Sequence, residues 1–232
     1  MAARFEAGRI VTPVEQKTIA DVVERMRAIL DGLPPRDGVA CFTRLYLAVT
    51  EAVNEAKGSF TAPAFLTQLD ICFARLYFDA LDHPPRAWAP LLDARTRPGV
   101  APIQFALCGM NAHINRDLPV ALVESSTKLG VELRRRGPEH ADYLAVNRLL
   151  VSTEARVKKE FLTDELALAD DALGIVDDVI AMWNVERARD AAWANAETLW
   201  ALRSSPDLAA AFMDALDGMV GFAGRGLVVP TT

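Results

Sequence analysis

Five prolines, at 13, 63, 102, 138 and 206, each stand just inside the start of a run with apolar residues at helical spacing. A proline has no N–H and a fixed φ, so the first turn of a helix is where it does no harm. Pro13 sits in Thr12-Pro13-Val14-Glu15, a capping-box spacing with Pro at N1, and Ile19, Val22, Val23, Met26, Ile29 and Leu30 follow it to Gly32. A second pattern runs from Phe42 through Leu45, Tyr46, Val49 and Val53 to Gly58. Thr61 and Pro63 open a third, from Phe65 to Ala80, and a Pro- and Arg-rich linker after it holds one short helical turn at Trp88 to Asp93. Pro102 opens the fourth helix, which Pro119 interrupts or restarts, and Pro138 and Glu139 open a fifth. A long helix is expected from about Asp177 to Arg203, and Ser205-Pro206 starts the last. Period-two alternation is almost absent. The chain therefore reads as all-α, one domain over residues 1–232 with seven or eight helices.

Composition agrees. About one residue in six is Ala, the best helix former, and 51% of the chain is hydrophobic, enough for a large core. The net charge of −6 argues against a general nucleic-acid partner. No stretch approaches the ~18 apolar residues of a membrane span, and the N-terminus lacks the apolar region of a signal peptide. Cys41, Cys72 and Cys108 are odd in number, widely spaced and set in apolar runs. They read as buried thiols in a protein of the cytoplasm, with no disulfide framework or metal pair.

The fourth helix, PIQFALCGMNAHINRDLPVAL, departs from the one-faced polarity of a surface helix. With Gln104 at zero on a helical wheel, Asn111 and Asn115 fall within about 20° of it. Gly109, His113, Arg116 and Asp117 gather on the opposite side, with Leu107, Ile114 and Leu118 on a flank between. Polar groups on two opposed faces suit a central helix that either holds a hydrogen-bond network or lines a cavity. His113 and Asp117, at i and i+4, can meet, and a carboxylate that orients an imidazole is common equipment for moving protons near neutral pH. Arg116, Asn111, Asn115 and Gln104 are candidates to position a substrate. Gly109 would let something approach the backbone one turn before His113. Tyr46, Tyr77 and Arg75, on helices two and three, are natural supports for the pair if those helices pack on the fourth.

Other features carry less. His140 and Asp142 read as the exposed first turn of a helix and His83 as a loop residue, while Asp170-Asp171…Asp177-Asp178 has the wrong spacing for a diphosphate-binding aspartate motif. Arg134-Arg135-Arg136 reads as a solvated helix end, and the tryptophans at 88, 183, 193 and 200 as core. No nucleophile elbow, phosphate loop or nucleotide fingerprint is present.

Gly109-Met110-Asn111-Ala112-His113-Ile114-Asn115-Arg116-Asp117-Leu118-Pro119 resembles the signature of a bacterial family catalogued as a domain of unknown function. Trp88…Leu91-Leu92, His140-x-Asp142-Tyr143…Asn147, Ala192-Trp193…Leu199-Trp200 and Arg225-Gly226-Leu227 extend the resemblance over nearly the whole chain. It implies a helical fold, and some members are expected in small-molecule biosynthesis. More faintly, His113…Asp117-x-Pro119 resembles a helix segment of zinc-dependent phospholipases C and S1/P1-type nucleases. Those sites draw on many histidines, and this chain has His83, His113 and His140.

The expectation is a small-molecule enzyme, free of cofactor and metal, in which His113 is the acid or base of a cyclisation, isomerisation or elimination and Asp117 orients it. A non-catalytic helical binding or interaction protein, whose HINRD segment is a structural network, is the alternative from another class. Hydrolysis, with or without a metal, is a second. A solvent-connected pocket of a few hundred Å³ against His113 would favour the enzyme and a packed interior the network. Oligomeric state stays open.

Overall fold

The computed structural model describes residues 16–150 and 184–230. Among these there is no strand, and the chain is built from helices α1 (Ile19–Asp31), α2 (Gly38–Ala56), α3 (Pro63–Asp82), α4 (Ala89–Ala94), α5 (Pro102–Ala112) and α6 (Leu118–Leu129). They are followed by α7 (138–150), α8 (Val185–Leu202) and α9 (Pro206–Leu227). A single 3₁₀ turn, Lys57–Ser59, follows α2. Pro63, Pro102, Pro138 and Pro206 each open a helix as their spacing requires.

Two expected helix starts are corrected. The first helix begins six residues after Pro13: Gln16 and Lys17 are not helical, and Thr18 and Asp21 form the capping box, with the Asp21 amide donating to the Thr18 hydroxyl at 3.1 Å. A capping box needs only the four-residue spacing, which Thr18 repeats closer to the amphipathic run. The Thr12 box lies outside the described residues. The long helix expected from Asp177 begins at Val185, because Asn184 is extended and its side chain accepts from the Arg187 amide at 2.9 Å. Asp170, Asp171, Asp177, Asp178 and Trp183 lie outside the described residues.

The α5–α6 segment is central. α2 packs along α5, α3 and α8 pack on α6, and α9 lies on α5 and α4. Small residues set these approaches. A methyl at Gly109 would clash with the Phe42 side chain of α2, and one at Gly221 would lie 2.5 Å from the Arg86 carbonyl oxygen. The room left by Gly109 is therefore filled by Phe42, and the expected approach of a ligand there is corrected. Asp142 is a further correction. It is 4% exposed, and its carboxylate accepts from the Thr61 and Ala62 amides at 3.0 and 2.5 Å. The N-terminus of α3 has no capping side chain of its own, so α7 supplies one.

The cysteines are buried and form no disulfide. Among the described residues no helix is long and apolar enough to cross a membrane.

Candidate active site

Between α5 and α6 the helix widens into a π turn over His113–Asp117. Pro119 is the local cause. It has no N–H to give to Asn115, and in α geometry its ring would crowd the Asn115 carbonyl. The ladder slips by one residue, and the Leu118 amide donates to the His113 carbonyl, five residues back. Such insertions recur at functional sites because they re-aim side chains within an otherwise regular helix.

His113 and Asp117, 2% and 0% exposed, meet across this turn with Nδ1 3.0 Å from Oδ2. The same oxygen accepts from the indole N–H of fully buried Trp88 at 2.9 Å, and Oδ1 accepts from Arg116 Nη1 at 2.9 Å. A carboxylate that accepts on both oxygens fixes the His113 tautomer: Nδ1 carries the proton, and Nε2 keeps its lone pair. Burial holds the imidazole below its ordinary value of 6.5, against the pull of the Asp117 hydrogen bond and charge. The ring is neutral at neutral pH. Its Nε2 is buried and has no hydrogen-bond partner.

Aromatic rings lock the imidazole in place. Phe73 stacks on it with centroids 3.4 Å apart, while Tyr46 and Phe42 meet it edge-on at 4.5 and 5.6 Å. His113 also forms part of the wall of a partly open cavity of about 80 Å³ between α2, α3, α5, α7 and α8. That volume is below the few hundred Å³ of an ordinary ligand pocket. Leu45, Leu66, Met110 and Ile114 make the lining mostly apolar, and Tyr46, Asp70 and Arg189 are its chemically active members. Burial pushes the Asp70 carboxyl up to about 7, opposed by the positive charge of Arg189. Burial and the charges of Asp70 and Asp117 hold the Tyr46 phenol well above its ordinary value of 10.

The other residues singled out in the sequence are divided between this cavity and the scaffold. Tyr46 lines the cavity with His113. Tyr77, fully buried, lies behind it with its hydroxyl 2.5 Å from that of Thr43. Arg75 points elsewhere, joining Asp79 at 2.7 Å and Glu124 at 2.5 Å in a partly exposed network between α3 and α6. The opposed polar face meets α9: the Gln104 amide donates to the Leu227 and Val229 carbonyls at 3.0 and 2.9 Å, and Asn111 donates to Val220 at 3.0 Å. Asn115 donates to Asn111 at 3.1 Å. These three amides form an interhelical network away from the cavity. Arg116 lies between Asp117 and Asp217 of α9, 3.7 Å from the latter, because the wide turn rotates it off the His113 side that a uniform wheel assigns.

Trp88, Phe73, Asp70 and Arg189 complete the site from α3, α8 and the residues before α4. Trp88 reads as core by its apolar surroundings, and only its indole N–H signals a polar role. Among the described residues no three His, Cys, Asp or Glu side chains are placed to hold a metal ion. His140, which a zinc site would have needed beside His113, packs instead edge-on to Trp193 at 4.5 Å.

Fold and site together define an all-helical protein with a buried Asp–His pair whose imidazole forms part of the wall of an apolar cavity. The chain belongs to DUF5995, a family of unknown function whose model matches residues 19–230. No curated protein matches the chain, and neither does any solved structure.

Proposed function

We propose that the protein is a cytoplasmic small-molecule enzyme that uses His113 as a general base, with Asp117 as the residue that positions it. The observation that carries this reading is the unpartnered Nε2 of a fully desolvated histidine beside a cavity. Burying a polar atom without a partner costs free energy, and native structures tolerate it mainly where the atom has work to do. Nε2 would take a proton from the substrate, and the electron pair would stay on the substrate. The new Nε2–H imidazolium would be balanced by Asp117, itself braced by Trp88 and Arg116. Asp70, whose carboxyl titrates near 7, is a second group able to hold or return a proton at the same cavity. Proton removal at one atom and return at another is the requirement of an isomerisation or cyclisation, and loss with a leaving group is that of an elimination.

The test pairs wild type with His113→Gln, which keeps the bulk and polarity of the ring but removes the base. Both are incubated with a pool of small metabolites, and conversions are followed by mass spectrometry. Wild type is expected to consume a substrate at a rate that falls about 10²–10⁴-fold in the folded variant. Equal conversion by the two proteins would refute the assignment.

The aromatic packing on the imidazole and the small cavity volume favour the second reading, a structural network in a binding protein. That reading expects His113→Gln to lose stability and wild type to convert nothing in the pool.

A further inference from the structure

We infer that the cavity beside His113 binds a small carboxylate, with the carboxylate group held by Arg189. This rests on the proposal that the cavity is the substrate site, and it adds the substrate's chemical class.

Arg189, on α8, is 6% exposed and forms part of the cavity wall. Its hydrogen bonds go to neutral acceptors: Nε donates to the Asn147 side-chain oxygen at 2.6 Å, and Nη2 to the Tyr143 carbonyl at 2.8 Å. The guanidinium also lies over the Tyr143 ring, 3.9 Å from its centroid. These contacts fix the plane of the group. Among the described residues no carboxylate oxygen is within ion-pair distance of it. Two other arginines drawn into the interior are ion-paired: Arg95 meets Asp37 at 2.7 Å, and Arg116 meets Asp117 at 2.9 Å.

A desolvated cation without a counter-ion is costly, whereas a buried charge that is paired and hydrogen-bonded recovers much of that cost. A guanidinium held in a fixed plane is also suited to a carboxylate, which it meets through parallel N–H donors. Asp70 faces the same cavity, but its attraction to Arg189 acts at longer range and its own burial opposes ionisation. The volume sets the size. About 80 Å³ compares with the ~150 Å³ that holds benzene, so the enclosed part of the ligand has about three to five heavy atoms. Acetate and propionate fall in this range, and so does the carboxylate end of a longer acid. The apolar lining would take the carbon atoms, with the His113 ring on the same wall.

The experiment titrates the full-length protein, with its arginine and histidine side chains labelled with ¹⁵N, with acetate and propionate, and then with acetamide and propionamide as neutral controls of the same shape. Ionic strength is held constant with chloride. The acids are expected to shift the Arg189 side-chain signals and to bind about tenfold more tightly than the amides, a difference that disappears in Arg189→Gln. Should that variant fail to fold, the acid-against-amide contrast in wild type decides by itself. Equal binding of acids and amides, or no response of Arg189 to either acid, would overturn the proposal. His113→Gln separates it from the enzymatic reading. Acid binding retained in that variant supports the Arg189 site whether or not any conversion depends on His113.

Discussion

Asp117 is the residue on which the candidate site turns, since three donors reach it before any ligand arrives. Two of them, His113 and Arg116, lie within the same helical segment. The third, Trp88 Nε1, comes from 29 residues away, and its loss leaves a vacancy without removing a charge or the candidate base. Trp88→Phe should therefore cost about 1–3 kcal/mol, measured as a shift in urea midpoint, from the unmade hydrogen bond to a buried carboxylate. It should also loosen the imidazole, visible as exchange broadening of the His113 ring signals. An unchanged midpoint would mean that water replaces the indole, and the brace would then not be structural. The His113–Asp117 pair was legible in the sequence because i,i+4 spacing survives in any helical turn. The Trp88 contact was not, because a bond between distant residues has no local periodicity.

At the scale of elements, the π turn and the close approach of α2 to α5 decide where the site's side chains go. A uniform wheel places Arg116 beside His113 and leaves Gly109 open. The wide turn forced by Pro119 sends Arg116 toward α9, and Phe42 takes up the space over Gly109. Gly109→Ala tests that packing, because a methyl group there must displace the Phe42 ring, which itself touches the imidazole. Overpacking of this kind typically costs 1–3 kcal/mol, so a loss of about that size is expected in urea unfolding. The His113 ring resonances should move as well. A variant as stable as wild type would show that α2 and α5 are free to separate. The helical order itself was readable from the prolines, since their restriction acts on the first turn wherever they stand. The starts at Thr18 and Asn184 were not, because capping residues recur and only packing selects among them.

Across the whole molecule, the titrations of half-buried Asp70 and buried His113 pull stability in opposite directions with pH. Asp70 is raised to about 7 in the folded state, so the stability tied to its neutral form is present below its ordinary range near 3.8 and is lost as pH rises through about 7. His113 is lowered from 6.5, so its contribution is present above 6.5 and is lost as pH falls through its folded value. Asp70→Asn removes the first effect alone. Its melting temperature relative to wild type should rise between about pH 5 and about pH 8, read by calorimetry at the two pH values. A constant difference would show that Asp70 is solvated.

What the sequence determined by itself has a short range: the all-α class, the helix starts at Pro63, Pro102, Pro138 and Pro206, and the His113–Asp117 pair. Backbone sterics and helical spacing act over a few residues, so they can be read along the chain. What tertiary structure decided is which polar groups share a cavity. Gln104, Asn111 and Asn115 bond to α9 or to one another, Arg75 turns outward, and Asp70 and Arg189 come to the His113 wall from two other helices. Those outcomes follow from how helices far apart in sequence share one dry interior, where each buried polar group goes to whichever partner packing brings within reach.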